Sequence, residues 1–112
     1  MINLNGQWAG LLCGDRRGQV LARIFQRGSR VNGEIDFADG LPGFSRVRFS
    51  GKLSGNILAA RLHHFEAPSE GSDSAPRRGN FLAEVSLDSY RLDGNWSTST
   101  GAAGDVVLVK RL

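Results

Sequence analysis

The chain closes on Tyr90-Arg91-Leu92-Asp93-Gly94-Asn95-Trp96-Ser97-Thr98, a glycine-bearing turn region, and then Gly104-Asp105-Val106-Val107-Leu108-Val109-Lys110-Arg111-Leu112. The first of these segments echoes the start of the chain, where Leu4-Asn5-Gly6-Gln7-Trp8 has the same Leu-x-Gly-x-Trp spacing. Side chains in a strand alternate with period two, so each Gly shares a face with its Trp. A glycine opposite a neighbouring strand leaves room for an indole and predicts a sheet that curls over a large ring. The segment therefore reads as a terminal β-hairpin.

Working back from it, the rest of the chain alternates in the same way. Strands are expected at Gln7–Cys13, Gln19–Gln26, Arg30–Phe37, Phe44–Leu53, Asn56–Phe65, Asn80–Leu87, Tyr90–Thr98 and Gly104–Leu112. The third is the cleanest, with Val31, Gly33, Ile35 and Phe37 against Arg30, Asn32, Glu34 and Asp36, the pattern of a half-buried strand. The fifth places Leu58, Ala60, Leu62 and His64 on one face, and the sixth does the same with Phe81, Ala83, Val85 and Leu87. The inward set predicted across the chain is Trp8, Val31, Gly33, Ile35, Val47, Phe49, Leu58, Leu62, Phe81, Val85, Leu92 and Trp96.

Eight strands joined by short links, with no helix-length apolar period to serve as a crossover, imply an antiparallel meander. Pairing the first strand with the last removes both sheet edges, so the expected fold is all-β, an eight-stranded antiparallel up-and-down barrel, in one domain over residues 1–112. A seven- or eight-stranded sandwich is the alternative. In a meander the connections alternate ends, and here Gly14–Gly18, Ala38–Gly43, Ala67–Gly79 and Ser99–Gly104 fall together at one end. The turns at Gly28, Ser54-Gly55 and Asp88-Ser89 are tight and fall at the other. A loop-rimmed mouth and a pinched base are the shape of a ligand container.

Composition narrows the chemistry. The 112 residues carry a formal charge of +3, and the basic side chains are arginines apart from Lys52 and Lys110. Arginine's planar fork suits phosphate and carboxylate. Cys13 is the single cysteine, which excludes an intramolecular disulfide and multi-thiolate zinc sites. The N-terminal residues show no basic region followed by an apolar run, and no apolar run approaches the roughly 20 residues that cross a bilayer. A soluble, cytoplasmic chain is expected, without a membrane partner or duplex nucleic acid.

Strand one rises from the base and strand eight returns to it, so their ends should meet near Trp8. This arrangement resembles the lipocalin and fatty-acid-binding (calycin) group, in which a Gly-x-Trp on the first strand is covered by a basic side chain from the last. The resemblance assigns structural roles to Gly6, Trp8 and Arg111, with Lys110 as the other candidate cation because the facing of strand eight is not fixed by its near-continuous apolar run.

Strand seven carries Trp96, and Thr98 beyond it, toward the mouth. Arg16 and Arg17 fall in one mouth loop, Arg77 and Arg78 in another, and Arg46 and His64 near the mouth ends of their strands. An aromatic face and several guanidiniums are what a nucleotide-like anion requires, so Arg16, Arg17, Arg46, His64, Arg77, Arg78, Trp96 and Thr98 are the candidate ligand-binding residues. His63-His64 is not expected to hold a metal, because adjacent strand residues point to opposite faces and no further histidine is available. No cofactor is implied. There is no Ser, His and acid grouping with a recognisable motif, no glycine-rich loop opening a helix and no paired carboxylates on one strand face, so the expectation is a non-enzymatic binding module.

A second resemblance spans most of the chain: Gly6-x-Trp8, Leu62-His63-His64-Phe65-Glu66 before a Pro-containing loop, Arg78-Gly79-Asn80-Phe81, and Leu92-x-Gly94-x-Trp96-x-Thr98 with Gly104 and Leu108. The series resembles the β-barrel domain of the two-transmembrane effectors of bacterial CBASS-type antiphage systems. What it implies is a sensor of a cyclic oligonucleotide second messenger; both transmembrane helices of those effectors are missing from this sequence. The alternatives are a lipocalin-like carrier of a small apolar ligand and a structural barrel that forms a homo-oligomer through outward Leu21, Phe25 and Leu82.

Overall fold

The computed structural model describes residues 2–38, 45–66 and 78–111. Eight strands, β1 (Gly6–Gly14), β2 (Gly18–Arg27), β3 (Arg30–Phe37), β4 (Arg46–Ser54), β5 (Ile57–Glu66), β6 (Gly79–Val85), β7 (Arg91–Thr98) and β8 (Ala103–Lys110), pair in sequence order as a closed barrel. Every pairing is antiparallel, and β1 closes on β8 with Trp8 opposite Lys110 and Gly10 opposite Leu108. The sandwich is excluded. Arg77, and Phe44 at the expected start of β4, lie outside the described residues.

The alternation read from the sequence is the alternation of burial. Val20, Ala22 and Ile24 of β2, Val31 and Ile35 of β3, and Val47 and Phe49 of β4 face a single core, as do the inward residues of the other strands. Trp8 and Leu108 are fully buried in it. Burying a side chain of this size is worth about 1.5–3 kcal/mol, which is how a chain without a helix among its described residues holds a small barrel shut. Gly10 lets β1 and β8 approach, since a Cβ there would lie 1.7 Å from the Val107 carbonyl oxygen.

Three features depart from strict alternation. The first lies between β4 and β5, where Arg48 pairs with His63 and Arg46 with Glu66. One residue of β4 thus opposes two of β5, a β-bulge, and His64 takes a positive φ of 52° within it. The extra residue flips the register, so Phe65 turns inward against the core and His64 is exposed instead of sharing the face of Leu62.

The second departure is at the end of β6. Leu87 is not a core residue; it is fully exposed. The strand stops at Val85 because side chains take over the backbone donors beyond it. The Ser86 hydroxyl accepts from the Arg91 amide at 3.0 Å and the Asp88 carboxylate accepts from the Tyr90 amide at 3.1 Å. These bonds build the turn and leave Leu87 pointing into solvent.

The third is the segment before β1, which folds across the base. Leu4 is fully buried there, and its carbonyl accepts the Trp8 indole N–H at 3.0 Å. Gln26 ties the segment down, its Oε1 accepting from the Leu4 amide at 2.8 Å and its Nε2 donating to the Ile2 carbonyl at 3.1 Å.

Candidate functional site

The mouth end of the barrel is floored by apolar side chains. Leu12, Ile35, Phe37, Phe65, Trp96 and Thr98 are among those enclosing a cavity of about 20 Å³. That is room for about one water molecule, so among the described residues this cavity has no space for a ligand of any size beneath the rim. Thr98, 9 % exposed, is the polar member of the lining; its hydroxyl lies 2.9 Å from that of Thr100.

Arg16 stands at this rim. The β1–β2 turn carries it back over the opening, where its guanidinium carbon lies 4.1 Å from the centroid of the Phe37 ring. A guanidinium over an aromatic face is held by the ring quadrupole, and both terminal nitrogens of Arg16 are buried there. Asp15 braces the turn by accepting the Ala103 amide at 2.9 Å, while its own amide donates to the Ala103 carbonyl at 3.0 Å. Arg17 in the same turn is exposed, as is Arg78, whose carbonyl accepts the Ser99 amide at 2.9 Å and so joins the last mouth turn to β6.

The remaining candidates do not converge with these. Trp96 lines the cavity from inside and is only 6 % exposed, with its indole N–H donating to the Asp105 carbonyl at 3.3 Å. Its face is packed, so it offers no stacking surface to solvent; the β7 register puts it below the rim. Arg46 faces the outer wall, 2.5 Å from the Asp36 carboxylate and 3.9 Å from that of Glu66. The hydrogen bond and charge of Asp36 raise its pKa above the ordinary arginine value.

His64, exposed on the outer wall, contacts a different partner from the one expected. The bulge brings its ring against that of His63, with Nδ1 facing Nδ1 and the ring centroids 4.7 Å apart, so the two imidazoles converge where strict alternation would separate them. His63 Nε2 is also 2.8 Å from the Ser50 hydroxyl. Burial, the neighbouring His64 and the charge of Arg48 together push the His63 pKa below its ordinary value. No group of three or more His, Cys, Asp or Glu suited to a metal ion occurs among the described residues.

At the base, the cation over Trp8 is Lys110, not Arg111. Lys110 shares the inward face of β8 with Leu108, and its Nζ lies 6.0 Å from the centroid of the Trp8 ring while donating to the Asn3 carbonyl at 3.2 Å. Gly6 admits the lysine stem, since a Cβ there would lie 3.2 Å from Cε. Arg111 is exposed and contributes its backbone amide to the Gln7 carbonyl at 2.8 Å. What distinguishes the two is the register, which sets Lys110 opposite Trp8 and turns Val109 outward.

Comparisons with known proteins bear on the fold. A solved structure of a redesigned β-barrel superposes with a TM-score of 0.64 at 14 % sequence identity, over 97 % of this chain and 92 % of that one. No protein-family model matches the sequence, and no curated protein matches it. Among the described residues no helix is long and apolar enough to cross a membrane. The chain is similar to that barrel in architecture, an all-β closed meander of eight antiparallel strands.

Proposed function

We propose that the barrel is a non-enzymatic binding module whose mouth takes a small anion with an aromatic or compact apolar part. The observation that carries this reading is the Arg16 guanidinium, 4.1 Å over Phe37 at the rim of an otherwise apolar cavity. Arg16 places a positive charge beside an apolar floor, and the exposed Arg17 and Arg78 lie at the same end of the barrel. The cavity is too small for a lipid chain, which favours a flat ligand on the rim over a chain in the interior. A cyclic oligonucleotide, the messenger implied by the resemblance to antiphage effector barrels, is an anion of this class.

A second reading, a carrier of a small amphiphile, rests on the almost wholly apolar lining in which Thr98 is the polar exception. Thermal-shift measurements against cyclic nucleotides, linear nucleotides and short fatty acids separate the two. Stabilisation by cyclic nucleotides that is lost in Arg16→Ala supports the first. Stabilisation by fatty acids alone moves the assignment to the carrier, and no shift with any anion ends the proposed site.

A further inference from the structure

The outer wall formed by β7, β8, β1 and β2 carries an apolar stripe that the fold leaves uncovered. Leu11 is 54 % exposed, Leu21 47 % and Val109 47 %, and the registers place them together. Ala9 lies between Leu21 and Val109, and Leu11 pairs with Val107 one row nearer the mouth. A contiguous patch of this kind on a small soluble domain marks an interaction surface. The closed barrel has no free edge, so anything covering the wall must pack face to face. A depression of about 460 Å³ over Ala9, Gly10, Leu11, Gln19 and Leu21 runs along the stripe, giving it both knobs and a hollow.

The pattern is symmetric about one line. Gly10, Leu108 and Leu92 form a cross-strand row of inward residues. Outward residues one step to either side of that row are Ala9 and Leu11 on β1, Val109 and Val107 on β8, and Arg91 and Asp93 on β7. Three steps to either side along the chain are Asp105 on β8 and Arg111, just past its end. A two-fold axis lying in the interface along this row sets each residue of one copy against its mirror position in the other. Leu11 then meets Ala9, Val107 meets Val109 and Leu21 meets Gln19, while each of Arg91 and Arg111 meets a carboxylate.

We propose that this wall is the interface of a homodimer, with a second copy of the chain as its occupant. In the dimer Leu11 of each protomer enters the hollow over Ala9 of the other, and Val107 packs on Val109. Arg111 faces Asp105 across the axis. The intramolecular pair of Arg91 and Asp93, 2.7 Å apart, becomes a network of four alternating charges. Such an interface is isologous and closes on itself, which ends association at two copies. It is independent of the mouth, so each dimer presents two ligand sites.

Sedimentation velocity of the full chain, from low to several hundred micromolar, tests this directly. The expected result is a concentration-dependent dimer that Leu11→Glu and the hollow-filling Ala9→Leu abolish. Phe25→Glu, a change at a side chain 61 % exposed on another part of the wall, leaves the dimer intact. Arg111→Asp and Asp105→Arg should each weaken association by at least about tenfold, and the double reversal should restore it. All these side chains point outward, and an unchanged near-UV circular dichroism spectrum from Trp8 and Trp96 verifies that each variant is folded. A monomer at every concentration, a dimer surviving both Leu11→Glu and Ala9→Leu, or a double reversal no better than the single changes overturns the proposal.

Discussion

Phe49 occupies the space that a side chain on Gly33 would need: a Cβ at Gly33 would lie 2.4 Å from Cζ of the ring and 2.6 Å from the Arg23 carbonyl oxygen. The two residues are partners across β3 and β4. The sequence suggests that Gly6 and Gly94 make room for indoles, but the glycine that accommodates a ring is Gly33. At Gly94 the space goes to backbone, since a Cβ there would lie 2.1 Å from the Leu82 carbonyl oxygen. Gly33→Ala should therefore destabilise the barrel by about 1–3 kcal/mol, as overpacking does. Urea denaturation checks this. Adding Phe49→Leu should recover only part of the loss, because the contact with the Arg23 carbonyl remains.

The segment before β1 makes a measurable contribution to stability. Leu4→Ala removes a fully buried side chain from the base and should cost about 2–5 kcal/mol. Arg111→Ala, by contrast, should leave the urea midpoint nearly unchanged, because that side chain is exposed and its backbone hydrogen bond survives the substitution. Equal losses in the two variants would return Arg111 to the structural role that the calycin resemblance gives it.

His63 makes stability depend on pH in a defined window. Its pKa is lowered in the fold from 6.5, first by burial, then by His64 and Arg48. The unfolded chain therefore binds a proton before the folded one does, and stability falls as pH drops through 6.5 toward the folded value. Below that value both states are protonated and the loss levels off. Asp88 and Asp93 have carboxyls held below their ordinary 3.8, so their contribution disappears only in more acidic solution. His63→Gln should flatten the slope of the urea midpoint just below pH 6.5, and an unchanged slope would assign it to other groups.

The strands were legible because a barrel wall with one face in the core must alternate, and Val31 to Phe37 could alternate in only one way. The closure was legible from edge avoidance, and the two unlike ends from loop length. What the sequence concealed was local. The bulge at His64 depends on how β4 and β5 meet, and a one-residue insertion exchanges His64 for Phe65, which stands one residue out of phase with Leu58, Ala60 and Leu62. Leu87 continues the period of β6, and only the competition from Ser86 and Asp88 for backbone donors ends the strand before it. Leu4 is one apolar residue among polar neighbours, and its burial follows from the barrel base being open to a plug. At the mouth, the loop reading puts Arg16 at the rim, and Arg46 lies at the mouth end of β4 as read, but its pairing with Asp36 and Glu66 on the outer wall follows only from cross-strand register.

This separation of the arginines predicts a ranking. Arg16→Ala should abolish anion binding at the mouth, and Arg17→Ala and Arg78→Ala should each weaken it and reduce its dependence on salt. Arg46→Ala should leave affinity unchanged, since its guanidinium is engaged by Asp36 on the outer wall. Isothermal titration of the four variants gives the order, and a loss in Arg46→Ala equal to that in Arg16→Ala would contradict the assignment.

The most direct measurement is a titration of the isotopically labelled chain with a cyclic dinucleotide, followed by amide chemical shifts. A ligand on the rim predicts saturable shifts in the Gly14–Gly18 turn, at Phe37, at Arg78 and at Thr98 through Ala102, with the base around Leu4 and Gly28 unmoved. Shifts confined to the base or the outer wall, or no shifts with any anion tested, would contradict a ligand-binding mouth built on Arg16 and Phe37.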